Sequence, residues 1–348
     1  MTITAQLLGS VRLPGGRAVV DDFHEARADG TRRLLLRQGA DLEVHDVAAL
    51  CAGETSPLAV VPLPWPGWDC GVHSAAPDGS FVVFSGQRSV RAVAVGGGAL
   101  WEYRHGCWGP ELDHEHSGDE QQVCPGSEHG SVRVSDDGRL VWAHVVAADT
   151  EYQELWVVLD ARDGRELARV PLTDSYASGS HHQSLPDGAH MALCVGMGQD
   201  GILLYWARRD GEDLVVRDLN EGLDRILLDV HPENGRFLTV EHYGADLQLH
   251  DLDGTLLAEA EPTGPGPDRW DWCAGFVDAD TVLGSTGHEY GTDDPVRHAL
   301  LDAATLKPLG RLGYPGAVTG YVRPLGDGTW LTYDQVSGTL SRWTRAAS

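Results

Sequence analysis

Residues 74–94 read SAAPDGSFVVFSGQRSVRAVA. A turn at Pro77-Asp78-Gly79 precedes the apolar run SFVVF; a short polar break follows, and then a second run of strand-like residues. Asp-Gly favours a tight reversal, because glycine reaches positive φ without a Cβ clash. Runs this short, rich in Val and Phe and bounded by Gly, Pro and Ser, predict antiparallel strands.

The same pattern recurs along the chain. Ala28-Asp29-Gly30 precedes TRRLLL, Asp136-Asp137-Gly138 precedes RLVWA, and Pro186-Asp187-Gly188 precedes AHMALC. Glu233-Asn234-Gly235 precedes RFLTV and Gly326-Asp327-Gly328 precedes TWLTY, with a degenerate copy, Asp278-Ala279-Asp280, before TVLG. Aligned on the third residue, the seven copies fall 49, 59, 50, 47, 45 and 48 residues apart. A further strand run follows each, such as LEVHDV, LWVVLD and LQLHDL, and a fourth follows the next turn, such as PLAVVPL, ELARVPL and GTLLAEA. The last repeat runs out at Trp343 without its fourth strand, and the chain start, ITAQLLGSVRL, has the missing pattern. A fixed period of this length marks a repeat architecture, and closing the array removes its exposed edges.

These features resemble the WD40-like and related β-propeller families. The PDG turns at 77–79 and 186–188 and the complementary termini carry the resemblance. It implies an all-β, seven-bladed β-propeller with four antiparallel strands per blade, the N-terminal strand completing the last blade. Residues 1–348 would form a single domain, with a long inter-blade loop at about 103–131. Most repeats lack the Trp-Asp ends and Gly-His starts of the WD40 pattern, so the match is to architecture and not to a functional family. Propellers host both enzymes and binding proteins.

Composition narrows the partners. The formal net charge is −26, and no basic stripe interleaved with aromatics occurs. Nucleic acid affinity needs phosphates neutralised by basic side chains, so no nucleic acid partner is expected, nor an anionic membrane surface. No apolar run reaches membrane-spanning length, and the first residues lack a signal-peptide pattern, which predicts a cytoplasmic protein. Six cysteines at 51, 70, 107, 124, 194 and 273 form no CxxC pair and are expected as free thiols, with Cys107 and Cys124 a possible pair. Neither a G-x-G-x-x-G fingerprint nor a P-loop, HExxH or GxSxG motif is present, and Asp251-Leu252-Asp253-Gly254 reads as a turn.

In such a ring the first strand of each unit is innermost. The sixth residue before each turn glycine, or its equivalent, is His24, His73, Val132, His182, Asp229, Ala274 and Val322. Three histidines and a carboxylate are suitable ligands for a divalent metal such as Zn, Fe or Mn, with an open position for water or substrate. His24, His73, His182 and Asp229 are therefore the candidate metal ligands. Of the adjacent pair His181-His182, the second is preferred by its repeat position, because neighbours on a strand face opposite ways. Asp229, Glu241 and His242 are candidate acid–base groups. The 103–131 connection carries His105, His114, His116 and His129 and is a candidate lid. Trp270, Trp272, His288 and Tyr290 are candidate pocket groups.

Two functions follow from these residues. One is a small-molecule ligand-binding protein or a metal-assisted enzyme, of hydrolase, lyase or isomerase type, using a His-lined central pocket. The other is a noncatalytic scaffold whose acidic surface selects a basic protein partner.

Overall fold

The recurrent turns are closed in the same way from repeat to repeat. Asp78 Oδ1 accepts the Ser80 N–H at 3.0 Å, Asp137 the Arg139 N–H at 3.0 Å, and Asp187 the Ala189 N–H at 2.9 Å. Asn234 accepts from Arg236 at 3.1 Å and Asp327 from Thr329 at 3.1 Å. The following glycine lies at positive φ each time, from 65° at Gly188 to 86° at Gly328. In the degenerate copy Asp278 takes this role one position early and accepts the Asp280 N–H at 3.0 Å.

The computed structural model describes residues 1–348 apart from 14–18, 27–31, 66, 110–122, 149–152, 221–222, 263–268, 288–296, 319–320, 335 and 348; the strand Val19–Ala26 and residue 321 are described by their backbone. Antiparallel meanders dominate the described residues. Among these residues five are separate four-stranded sheets, running from Val19–Ala26 to Ala59–Pro62, from Ser74–Ala75 to Ala99–Arg104, from Val132–Val134 to Glu166–Pro171, from Gly179–Ser184 to Asp213–Asp218, and from Arg225–Val230 to Leu256–Ala260. The remaining described strands join in one nine-stranded sheet. At its centre lies the N-terminal strand Thr2–Arg12. Thr2–Thr4 pair in parallel with Arg311–Gly313, and Ala5–Arg12 then pair antiparallel with Thr339–Arg345.

First strands of successive sheets touch: Ser74–Ala75 with Val132–Val134, Val132–Val134 with Gly179–Ser184, and Arg225–Val230 with Gly275–Asp278. The sheets face one another across apolar layers. Trp206 of the fourth sheet meets Phe237 of the fifth edge-on at 5.0 Å, and their cluster continues through Phe276 and Val282. A strand covered on both faces needs no polar alternation. Glu154–Asp160 is accordingly buried at every position. Polar ties reinforce the layers: Arg33 donates to the Ala76 and Pro77 carbonyls at 3.0 and 2.6 Å, gripping the turn of the next repeat.

A short α-helix, Val47–Cys51, has no counterpart in the all-β expectation. Asp46 caps it by accepting the Ala49 N–H at 2.8 Å, and Val47, Leu50 and Cys51 are buried. It packs against the N-terminal strand, where Gly9 passes so close that a Cβ would collide with the Cys51 carbonyl oxygen. Among the described residues no helix is long and apolar enough to cross a membrane.

Candidate functional site

Every repeat contributes to one central cavity of about 850 Å³. Arg32, Val72, Arg133, Ser180, Asp229, Phe276 and Arg323 border it in chain order. Side chains of the first strands alternate between the two faces of each sheet. Both faces meet neighbouring sheets, so many of these side chains turn toward a neighbour and away from the axis.

The residues expected to share a metal behave in this way. Arg37 Nη2 lies 2.8 Å from His73 Nε2, Nδ1 faces the Ser85 N–H at 3.2 Å, and the ring meets Phe84 edge-on. Burial, and then the Arg37 charge, push His73 well below its ordinary 6.5. A guanidinium at that distance also repels a metal cation. His182 turns to the third sheet, toward Ser131 and Trp156. Asp229 accepts Gln183 Nε2 at 2.8 Å from the fourth sheet and the Phe276 N–H at 2.8 Å from the next repeat. Its carboxyl is pushed up by burial, against the opposing pull of Arg323 and these donors. The shared offset therefore marks ties between sheets for these three residues. His24 lies on a strand described by its backbone, and its side chain is outside the described residues. Among the described residues no group of three or more His, Cys, Asp or Glu side chains has metal-holding geometry.

The other expected residues divide. Glu241 Oε2 accepts the Tyr243 and Ala245 N–H groups at 2.9 and 3.1 Å and closes its own turn. His242 pairs with Asp224 at 3.0 Å and contacts Tyr243 and Trp272. Trp272 borders the cavity, is 41% exposed, and donates to the His242 carbonyl at 3.1 Å. Trp270 is buried and donates to the Ala260 carbonyl. His129 borders the cavity, whereas His105 is buried and pushed down to about 4, chiefly by burial. His114, His116, His288 and Tyr290 lie outside the described residues. Cys107 and Cys124 are free thiols, as are the other four cysteines.

Two sets of residues at the site carry no repeat signature in the sequence. The first is the arginines: among the described residues Arg32, Arg133 and Arg323 border the cavity, together with Asp136 and Asp229. The second is a buried polar chain joining the third and fourth sheets. An indole N–H can only donate, and that of Trp156 points at His182 Nε2 at 3.0 Å. Burial keeps the His182 ring neutral, so its proton sits on Nδ1, 2.8 Å from Ser131 Oγ. Ser131 passes its own hydrogen to Ser180 Oγ at 2.8 Å, and Ser180 donates to His144 Nδ1 at 2.9 Å. His144 Nε2–H then donates to Glu154 Oε2 at 2.9 Å. Burial alone would raise the Glu154 carboxyl, but donors from His144, the Ala177 N–H and Ser175 outweigh it and hold the group below its usual range. The available signal was a His inside the apolar run Leu140–Val146 and a Glu at the head of the run Glu154–Asp160, which pair as neighbouring strands.

No protein-family model matches the chain, and no curated protein does. Solved structures do. The β-propeller domain of Cps50 (Swd1) from Myceliophteria thermophila superposes with a TM-score of 0.59 at 10% identity, covering 98% of this chain and 100% of that one. Prolyl oligopeptidase B from Galerina marginata gives 0.58 at 11% identity, covering 93% of this chain and 47% of that one. At such identities the likeness concerns the fold: the chain is a β-propeller.

Proposed function

We propose that residues 1–348 form one seven-bladed domain and that its central cavity binds a small organic anion. Five four-stranded sheets, together with a nine-stranded sheet read as two blades sharing Thr2–Arg12, support the blade count. The sign of the cavity supports the ligand. In a chain of net charge −26, Arg32, Arg133 and Arg323 border this one space, with Asp136 and Asp229 the acidic groups that border it among the described residues. Low-dielectric walls strengthen a local field of this kind. Trp272 adds a flat apolar surface beside it, suited to a ligand with a planar or apolar body and a carboxylate or phosphate end. Calorimetric titration with a panel of aryl carboxylates and phosphate monoesters tests this. Binding that weakens about tenfold in Arg133→Gln or Arg323→Gln supports it; binding unchanged in both variants overturns it.

The acidic exterior supports a second reading, in which a basic protein docks on the outer face. Capture of a basic partner that weakens with added salt, with no ligand in the cavity, would favour that scaffold role.

A further inference from the structure

The chain of hydrogen bonds from Trp156 to Glu154 has a single direction, and Ser180 is the member of it whose hydroxyl donates to an imidazole and which also borders the central cavity. We propose that Ser180 is a nucleophile for acyl transfer, with His144 as its general base and Glu154 as a positioning residue. This inference uses the cavity of the proposed function and adds a reaction to it.

The geometry supplies the nucleophile, base and carboxylate of such a step, and Ser180, 7% exposed, borders the cavity. Ser180 Oγ lies 2.9 Å from His144 Nδ1, within reach for proton transfer, and His144 Nε2 is fixed by Glu154 at 2.9 Å. Here Nδ1 faces the serine and Nε2 the carboxylate, the reverse of the arrangement in the well-known serine proteases. The two nitrogens exchange roles without loss of function, because each tautomer of a neutral imidazole has one lone pair. The carboxylate holds the proton on Nε2 and leaves the lone pair on Nδ1, where the hydroxyl is. Glu154 itself is held by the Ala177 N–H at 2.6 Å and by Ser175, so its orientation does not depend on His144 alone. Ser131 donates to Ser180 Oγ from the other side at 2.8 Å and pins the oxygen between the two groups.

The electron count closes without a cofactor. Ser180 Oγ attacks the carbonyl carbon of an ester, and its proton moves to His144 Nδ1. His144 is then an imidazolium, with both N–H groups placed and Glu154 balancing its charge. Collapse of the tetrahedral intermediate breaks the bond to the leaving alkoxide, which takes the proton from Nδ1. Water attacks the acyl-enzyme by the same route and loses a proton to Nδ1; the second tetrahedral intermediate then breaks the bond between Ser180 Oγ and the acyl carbon, Oγ takes the proton back from Nδ1, and the acid is released. Arg133 and Arg323 border the same cavity, so the substrate class is an ester that also carries a carboxylate.

The test treats the intact chain with a small fluorophosphonate and locates the adduct by peptide mass spectrometry, alongside hydrolysis of a p-nitrophenyl ester of a dicarboxylic acid. One adduct on Ser180 is expected, with ester turnover that Ser180→Ala abolishes. His144→Gln and Glu154→Gln should each slow turnover by about 10²–10⁴-fold, the usual contribution of general-base catalysis. Glu154→Asp should restore part of the rate, and the pH–rate profile of Glu154→Gln should differ from the parent; a purely structural role would move neither. Ser180→Cys keeps the side-chain shape where alanine destabilises the fold, and it should be alkylated by iodoacetamide faster than the native thiols. A folded protein with no adduct on Ser180, or with turnover unchanged in Ser180→Ala, overturns the proposal. If carboxylates still bind in that case, the ligand-binding reading stands while the nucleophile falls. An adduct on Ser180 without carboxylate binding keeps the nucleophile and removes the anion ligand.

Discussion

Glu154 Oε2 and His144 Nε2 lie 2.9 Å apart on neighbouring strands, and both side chains are wholly buried. A buried carboxylate survives only where donors surround it. Glu154 has His144, Ser175 and the Ala177 N–H. Glu154→Ala leaves all three without their acceptor and should destabilise the fold by about 3–5 kcal/mol, read from the urea midpoint. A loss below about 1 kcal/mol would show that the pair contributes little to folding.

The same carboxylate sets an acid limit. Its folded pKa lies below the ordinary 4.5, so the unfolded chain takes up the proton first as pH falls. The stability it contributes is complete above about 4.5 and is lost as pH drops through the folded value. Glu154→Gln should flatten this part of the stability curve in urea titrations from pH 5 downward.

Buried histidines act at higher pH. His105 and His298 are both pushed down to about 4, burial being the leading cause for each, and among the described residues neither buried Nε2 has a hydrogen-bond partner. The unfolded chain binds protons near 6.5 while the folded chain holds these rings neutral. Stability therefore falls as pH drops from about 6.5 to about 4, by up to about 3 kcal/mol per ring. His298→Gln should remove part of that slope. A urea midpoint that stays level between pH 7 and 5 would contradict it.

Gly9 controls the N-terminal strand. A Cβ there meets the Cys51 carbonyl, at the point where the pairing with Thr339–Arg345 shifts register between Leu7 and Gly9. Gly9→Ala should cost about 2–3 kcal/mol, as overpacking against backbone does, and should expose the chain start to proteolysis. Gly188→Ala, at φ 65° with open space around it, should cost only about 1 kcal/mol. Equal losses in the two variants would show that crowding at Gly9 is relieved by movement of the helix.

Asp229 tests the ties between sheets. Asp229→Ala strands the Gln183 amide and the Phe276 N–H, a loss of about 1–3 kcal/mol for each unsatisfied group. The thermal midpoint should fall clearly in this variant. Its removal also exposes Arg323 to one fewer opposing charge, so affinity for a carboxylate ligand should rise or stay level.

The repeats were legible because their cause is local. An Asp or Asn that accepts the N–H two residues on, followed by a glycine at positive φ, is written in three consecutive residues, and so Gly79, Gly138, Gly188, Gly235 and Gly328 can be found from the chain alone. The offset before those turns was also a true equivalence, since His182 and Asp229 both serve as ties between sheets. Their direction was not legible. Which of two faces a strand side chain takes depends on what the next sheet offers, and Arg37, Trp156 and Phe276 are each tens of residues from the group they hold. The relay of Trp156, His182, Ser131, Ser180, His144 and Glu154 spans two sheets, and its uniform polarity exists only once a donor-only indole is set against a particular ring nitrogen. Periodicity along the chain determined the strands and turns; packing between sheets decided which polar groups met, because hydrogen bonds form by distance in space and not by separation in sequence.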